Sequence, residues 1–542
     1  MKDKAKQIYR TQTENGETVI KLLNRKKPNV IQKLFFSRLS VIVLLVLIQL
    51  ALTVAAFLWF QQYITHYEVI RAAFTVVMIL YLFNSSMDSS SKLTWLMVIA
   101  IVPFIGAAFL LYSITNVGHR TLQERVDSMI HRTKNVLPQD EEVLKALERD
   151  PYGTEDLHRY INRSGCFPIY DDTDVTYFPL GEDKFAALIP ELEKAEKFIY
   201  MEYFIIDEGY MWGRILDVLA RKAAEGVEVR VMYDGMLEIS TLSQDYPKRL
   251  AELGIKARSF SPVRPFISTH YNYRDHRKIL VIDGKTAFTG GVNLADEYIN
   301  QRERFGHWKD TAIMVKGSAA QSFTLMFLQM WNVYEETPDF SRIDELLAES
   351  KEAPAAHDPS KGYVMPYADS PLDGDKVGES VYIDLFNRAT DYVHIMTPYL
   401  ILDGELEQAI KFASERGVEV SLILPGIPDK EMPYALAKSH YRRLVDAGVH
   451  IYEYTPGFVH AKVAVSDDCR AIVGTINLDY RSLYHHFECA AYQYKTPNIP
   501  AIEADFEATR AKCKKVTEES ITYEKVSMKL KGFVMKLVAP LL

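Results

Sequence analysis

Cysteine is scarce. Four occur in 542 residues (Cys166, Cys469, Cys489 and Cys513). They show neither a CxxC pair nor metal-ligand spacing, which points away from a disulfide scaffold and from a zinc site. Excess positive charge is missing too: 63 Lys and Arg face 71 Asp and Glu, for a formal charge of −8. That balance argues against a dedicated nucleic-acid binder. No carboxylate cluster has metal spacing, so neither a metal nor another cofactor is expected. The composition, 48% hydrophobic and 25% charged, excludes wholesale disorder. The length exceeds one core, since domains run to roughly 100–200 residues.

Mean hydropathy is near zero, yet the apolar residues are unevenly spread. Residues 1–38 carry ten Lys or Arg against three acidic residues. An apolar region, 39–114, follows. Leu39–Phe60 and Leu93–Ile114 are uncharged and long enough to cross a bilayer at about 20 residues each. Val69–Phe83 between them is shorter and carries Arg71. Buried helices of a soluble core rarely run so long without a charge, and the first run starts too late for a cleaved signal peptide. A multi-pass membrane protein is expected. The basic N-terminus favours the cytoplasm, and so do Arg120, Arg125, Arg132 and Lys134 after the last run. Both ends share that side if Val69–Phe83 is re-entrant, and the catalytic part is then cytoplasmic.

After a connector, 115–165, short β-rich runs alternate with amphipathic stretches, and the pattern repeats. Phe185–Phe204 aligns with Ser380–Tyr399 at an offset of 195. GVEVRVMYDG at Gly226–Gly235 matches GVEVSLILPG at Gly417–Gly426. His276–Leu294 matches His460–Leu478 at an offset of 184. The expected fold is α/β: two tandem units, 166–336 and 363–515, forming one bilobal body. Between them 337–362 reads as a linker without apolar periodicity.

The last match carries the chemistry. HRKILVIDGKTAFTGGVNL and HAKVAVSDDCRAIVGTINL share His, Lys two later, Asp seven later, Gly fourteen later and Asn seventeen later. Residues i and i+2 of a strand share a face, which sets each imidazole beside its ammonium. Asp283-Gly284 is a hairpin signal that returns Asn293 towards His276. One such motif is an exposed polar strand; two in register make one site. Lys278 and Lys462 can neutralise an anionic phosphodiester and its transition state. One histidine can attack phosphorus while the other protonates the leaving alkoxide and then deprotonates the acceptor.

Both HRKILVID and HAKVAVSD fit the HxKxxxxD signature of the phospholipase D superfamily. Across residues 39–542 the chain resembles its bacterial cardiolipin synthases. The passages that carry this are KLTWLMVIAIVPFIGAAFLLYSI, MEYFIIDEGYMWGRILDVLARKAAEGVEVRVMYDG, NYRDHRKILVIDGKTAFTGGVNLADEYIN and FVHAKVAVSDDCRAIVGTINLDYRSLYHHFE. A third apolar segment departs from the usual two. The resemblance implies that His276, Lys278 and Asp283 meet His460, Lys462 and Asp467, with Asn293 and Asn477 against the phosphate. It also implies a carboxylate orienting each histidine, for which Asp310 and Glu488 are candidates. Asp283 and Asp467 fall in turns and read as supports. The near-symmetric pair does not say which histidine attacks.

The implied reaction joins two phosphatidylglycerols into cardiolipin and releases glycerol. A membrane phospholipase D using water is the alternative. A nuclease is disfavoured by the acidic balance, and a non-catalytic scaffold by two intact motifs. Nothing in the sequence reports oligomeric state. In the last segment, 516–542, Leu530, Phe533, Val534, Leu537, Val538 and Leu541 follow helical spacing among Lys525, Lys529, Lys531 and Lys536. That suits either an interfacial helix on anionic lipid or a helix docked on the protein.

Overall fold

The computed structural model describes residues 9–22, 64–114, 120–150, 154–165, 167–262, 273–352 and 356–539, with isolated positions between 47 and 55. Two mixed sheets with helices on their outer faces form two lobes. In the first, seven strands run in the order Asp174–Phe178, Ala312–Lys316, Thr286–Gly290, Lys278–Ile282, Phe198–Tyr203, Glu228–Asp234, Lys256–Phe260. In the second, Tyr363–Asp369, His486–Tyr494, Arg470–Gly474, Val463–Ser466, Tyr392–Met396, Glu419–Pro425 and His450–Tyr454 repeat that order, and Cys513–Lys515 adds an edge.

Local sequence explains why the repeat folds alike. Helix Tyr210–Ala224 buries Met211, Ile215, Leu216, Val218 and Leu219 along one side. It ends where Gly226 takes a φ of 97° and the Val227 N–H returns to the Lys222 carbonyl at 3.0 Å. Gly417, at a φ of 101°, ends the matching helix the same way, with the Val418 N–H on the Ala413 carbonyl at 3.1 Å. This Schellman closure needs a left-handed residue, which is why GVEV recurs.

The lobes share one core. Helix Ala319–Asn332 is buried on every side and packs on strand Lys278–Ile282 of one sheet and on strand Tyr363–Asp369 of the other, sharing a core with Ile279, Val281 and Val364. The segment 337–362 is not the bare linker expected. It contains helix Ser341–Glu352, whose Ile343 and Leu346 are buried in that same core. Ile343, Leu346 and Leu347 have i, i+3, i+4 spacing, a short signal hidden among charges. The connector is structured as well. Helix Arg120–Thr133 lies on Ala319–Asn332, with Gln329 Nε2 donating to Thr133 Oγ1 at 2.8 Å. Helix Glu155–Gly165 places Leu157 and Ile161 in the second lobe.

The apolar region departs from expectation. Ile64–Phe83 is one 20-residue helix, about 30 Å long. Within it His66–Phe83 is, among the described residues, the one stretch long and apolar enough to cross a membrane. The run 93–114 is not a single helix. It breaks at Val102 into Ser89–Ile101 and Pro103–Ile114, 13 and 12 residues long. Pro103 drives the residue before it out of the helical region, and Val102 sits at φ −134° and ψ 74°. Each piece is about 20 Å long, short of a 30 Å hydrocarbon core. The pieces fold against each other, with Trp95 and Phe109 rings 5.6 Å apart. Most of 39–60 lies outside the described residues.

Two terminal elements dock on the lobes. Strands Tyr9–Glu14 and Glu17–Leu22 form a hairpin whose Val19, Ile20 and Leu22 are buried. A Cβ on Gly213 would collide with Val19 and with the Ile20 backbone. Arg214 pairs with Glu17 at 2.7 Å and Tyr210 Oη donates to Glu17 at 2.7 Å. At the other end, helix Val526–Val538 presses Gly532 on the Ala435 backbone and buries Met535. Leu530, Phe533, Val534 and Leu537 stay exposed. The helix is thus docked by one face and keeps an apolar face bare. Beneath it opens a cavity of about 840 Å³, lined by Lys438, Arg442, Lys514, Lys515 and Lys529 among others, which holds none of the site histidines.

Candidate active site

Both motif histidines sit where the lobes exchange backbone. The pair Arg274–Asp275 adds in parallel to His486–Phe487, and the His276 N–H donates to the Phe487 carbonyl at 2.9 Å. In pseudo-symmetric fashion, His307–Lys309 adds to Gly457–Val459, and the His460 N–H donates to the Lys309 carbonyl at 2.7 Å. Each histidine is therefore fixed by the opposite lobe before any side chain is considered.

The carboxylates cross in the same manner. His276 Nδ1 lies 2.9 and 3.0 Å from the two oxygens of Glu488, a second-lobe residue. His460 Nδ1 lies 2.7 Å from Asp310 Oδ2, from the first lobe. Both carboxylates are fully buried, as is Lys278, and Lys462 is nearly so. With Nδ1–H donated to a carboxylate, each imidazole presents Nε2 as a free acceptor. Lys278 and Lys462 donate to the carbonyls of His276 and His460 respectively, and Lys462 Nζ is also 2.9 Å from His460 Nδ1. Glycine keeps the junction open: a Cβ on Gly291 would collide with Asp310 Oδ1 and the His460 carbonyl.

Burial dominates the electrostatics. It pushes His276 well below its ordinary value and His460 down to about 4, against the pull of Glu488 and Asp310. Burial likewise lowers Lys278 to about 8, and Lys462 to about 7 with help from the Lys278 charge. Burial would raise Glu488, but His276 and its hydrogen bond hold the carboxyl far below the usual range. Burial disfavours the charged form of both lysines, and the charge of a bound phosphodiester would favour it.

Asp283 and Asp467 do not join this group. Five steps of strand, about 16 Å, separate Lys278 from Asp283. Asp283 instead accepts the N–H groups of Glu196, Lys197 and Phe198 at 2.7–2.8 Å, at the start of strand Phe198–Tyr203. Asp467 accepts those of Thr390, Asp391 and Tyr392 at 2.9–3.0 Å. Both lie in turns with two successive positive φ values, Asp283-Gly284 and Asp467-Asp468. Asn293 uses its side chain within the protein: Oδ1 accepts the Ile205 N–H at 3.0 Å and Nδ2 donates to Tyr298 Oη at 2.9 Å. Asn477 is buried with Oδ1 unpartnered.

Several neighbours escaped the sequence reading. The Tyr298 ring stands edge-on to His460 at 5.3 Å and Phe204 to His276 at 5.0 Å. Buried Lys184 donates to the Val292 carbonyl at 3.2 Å, feels Asp310, and is lowered by burial to about 7. The repeat hid it, since the aligned position is Glu379. His486 packs beside His276, rings 5.2 Å apart, and shares Glu488 at 3.6 Å. Its signal was readable: two residues before Glu488 on one strand means the same face.

The family described as "cardiolipin synthase, PLD-like domain" matches residues 188–331 and 382–510, which are the two lobes. The chain belongs to this family. Cardiolipin synthase 2 of Bacillus cereus is 32% identical over 87% of this chain and 90% of its own length. A Streptococcus mutans protein described only as uncharacterized is 57% identical over 86% of this chain and 99% of its own. The crystal structure of phosphatidylserine synthase from Haemophilus influenzae covers 72% of this chain and 100% of its own, with a TM-score of 0.55 at 18% identity, a likeness of fold.

Proposed function

We propose that the protein is a cardiolipin synthase that moves a phosphatidyl group from one phosphatidylglycerol to another through a phosphatidyl-histidine. The crossed pairs, His276 with Glu488 and His460 with Asp310, carry this reading. They offer two imidazoles that are neutral at pH 7, each with Nε2 free. One Nε2 attacks phosphorus, and the P–O bond to glycerol breaks. The glycerol oxygen takes a proton from the other imidazole, which the arriving phosphodiester charge helps to protonate. That second imidazole then removes a proton from the headgroup hydroxyl of another phosphatidylglycerol. The new P–O bond forms as P–N breaks. Lys278 and Lys462 balance the phosphoryl oxygens throughout. The Glu488 and Asp310 carboxylates stabilise whichever ring is cationic.

One phosphodiester of a primary alcohol is exchanged for another, so the reaction runs both ways without a nucleotide. Giving the purified enzyme cardiolipin with excess glycerol is expected to yield phosphatidylglycerol. Phosphatidic acid as the main product would replace this reading with the phospholipase one.

The membrane reading is refined by the N-terminal hairpin. Residues 9–22 precede the apolar region and the first lobe follows it, yet the two are packed together. Both lie on one side of a bilayer, which requires an even number of crossings between them. Ile64–Phe83 is long and apolar enough for one crossing; the other apolar run expected from the sequence, 39–60, lies mostly outside the described residues. The broken pair Ser89–Ile101 and Pro103–Ile114 then lies within one leaflet. The basic N-terminus favours the cytoplasm as that shared side.

A further inference from the structure

We propose that His276, His486 and Glu488 form a binding site for a single Zn²⁺ ion, and that its occupation stops phosphatidyl transfer. The three side chains present two imidazole nitrogens and a carboxylate oxygen within 4.8 Å of one another, all in buried residues. Glu488 oxygen is 2.9 Å from His276 Nδ1 and 3.6 Å from His486 Nδ1. Bonds of 2.0–2.1 Å at tetrahedral angles place ligand atoms about 3.3 Å apart, so the observed spacings bracket the requirement. His486 supplies the independent sign. Its Nδ1 is buried without a hydrogen-bond partner while facing a carboxylate that His276 already holds. A cation between the three satisfies that nitrogen. Thr475 Oγ1 donates to the other Glu488 oxygen and would keep the carboxylate aimed, as outer partners of metal ligands do.

Among the described residues, two other clusters of potential ligands lack this feature. At His394–Glu503–Glu507 the glutamates are half exposed, and the unpartnered His394 nitrogen, Nε2, points towards Glu419 at 3.7 Å. Glu379–Asp403–Glu405 is all carboxylate and partly exposed. Of these three clusters among the described residues, the first combines nitrogen donors, burial and an orphan aimed inward.

The chemistry of inhibition is direct. A metal bond takes the lone pair of His276 Nδ1, and the proton that Nδ1 shared with Glu488 is carried on Nε2 instead. The ring then presents an N–H where transfer needs the Nε2 lone pair, and the Glu488 charge is taken up by the ion. The fourth position remains open to water or a phosphate oxygen. This consequence rests on His276 being a reacting group; the binding does not.

The test uses full-length protein in detergent, stripped of metal. Co²⁺ alone is titrated while visible absorption is followed, and Zn²⁺ then competes; transfer is measured against free Zn²⁺ in parallel. Intense tetrahedral Co²⁺ bands are expected in the wild type and in His394→Asn, and are expected to vanish in His486→Asn with an unchanged near-UV dichroism spectrum. Relative to each variant's own zinc-free rate, the half-inhibiting Zn²⁺ concentration should rise about 100-fold in His486→Asn alone. Tetrahedral bands that survive in His486→Asn, or that never form in the wild type, overturn the site whatever the activity. Bands as expected with transfer untouched by Zn²⁺ would overturn the inhibition and the role of His276 while the site stands.

Discussion

Replacing Glu488 with Gln removes one negative charge from a buried pocket and changes almost no volume. The carboxylate holds the His276 Nδ1 proton at 2.9–3.0 Å and faces an imidazole that becomes cationic in the reaction. The amide keeps a hydrogen bond but not the charge, and one of its orientations forces the wrong tautomer. Loss of a comparable buried carboxylate behind a catalytic histidine costs about 10²–10⁴ in kcat, or about 3–5 kcal/mol. A second signature separates this from general damage. Burial lowers Lys278 to about 8, and the Glu488 charge is the largest force opposing that fall. A lysine is charged below its pKa, so activity that needs Lys278 charged is lost as pH rises through that value. Without Glu488 the value drops further, and the alkaline limb of the kcat profile should move to lower pH. The assay is conversion of labelled phosphatidylglycerol from pH 5 to 9, with Glu503→Gln as a control that removes a carboxylate 3.0 Å from His394 instead. A kcat within threefold of wild type, or an alkaline limb displaced upwards, would refute the crossed-carboxylate reasoning.

Either His276→Ala or His460→Ala should abolish turnover, and the variant lacking the acid/base histidine should accumulate a phosphatidyl-protein adduct visible by intact mass; near-normal transfer by either folded variant would contradict one shared site. Asp283→Ala strips an acceptor from three backbone N–H groups and should cost about 2 kcal/mol of stability, read by thermal or denaturant unfolding, with turnover per folded molecule largely kept. Thr13→Cys and Ser341→Cys should react with a membrane-impermeant maleimide from the same side of sealed vesicles, and labelling from opposite sides would break the even-crossing argument.

Much of the architecture was legible because it is local. The glycine after each helix, the polar i, i+2 pair and the Asp at the turn each constrain a few neighbouring dihedrals, and a repeat at offsets of 184 to 195 copies those constraints. The same logic could have split 93–114 at Pro103 and found Ile343, Leu346 and Leu347; length and hydropathy masked the first, flanking charge the second. What sequence could not assign was partnership across distance. Glu488 stands 212 residues from His276, and Asp310 stands 150 from His460. Nothing in either spacing says that each carboxylate serves the other lobe's histidine. The packing of the two sheets decided that, through one buried helix and the strand pairs Arg274–Asp275 with His486–Phe487 and His307–Lys309 with Gly457–Val459. The docking of residues 9–22 on the first lobe was decided the same way, by the fit of Val19 and Ile20 against Gly213. Residue type and short-range order set the strands, turns and reacting groups, because backbone dihedrals respond to near neighbours. Which charge meets which imidazole depended on burial, where a carboxylate without a partner is too costly to keep and only the assembled interface supplies one.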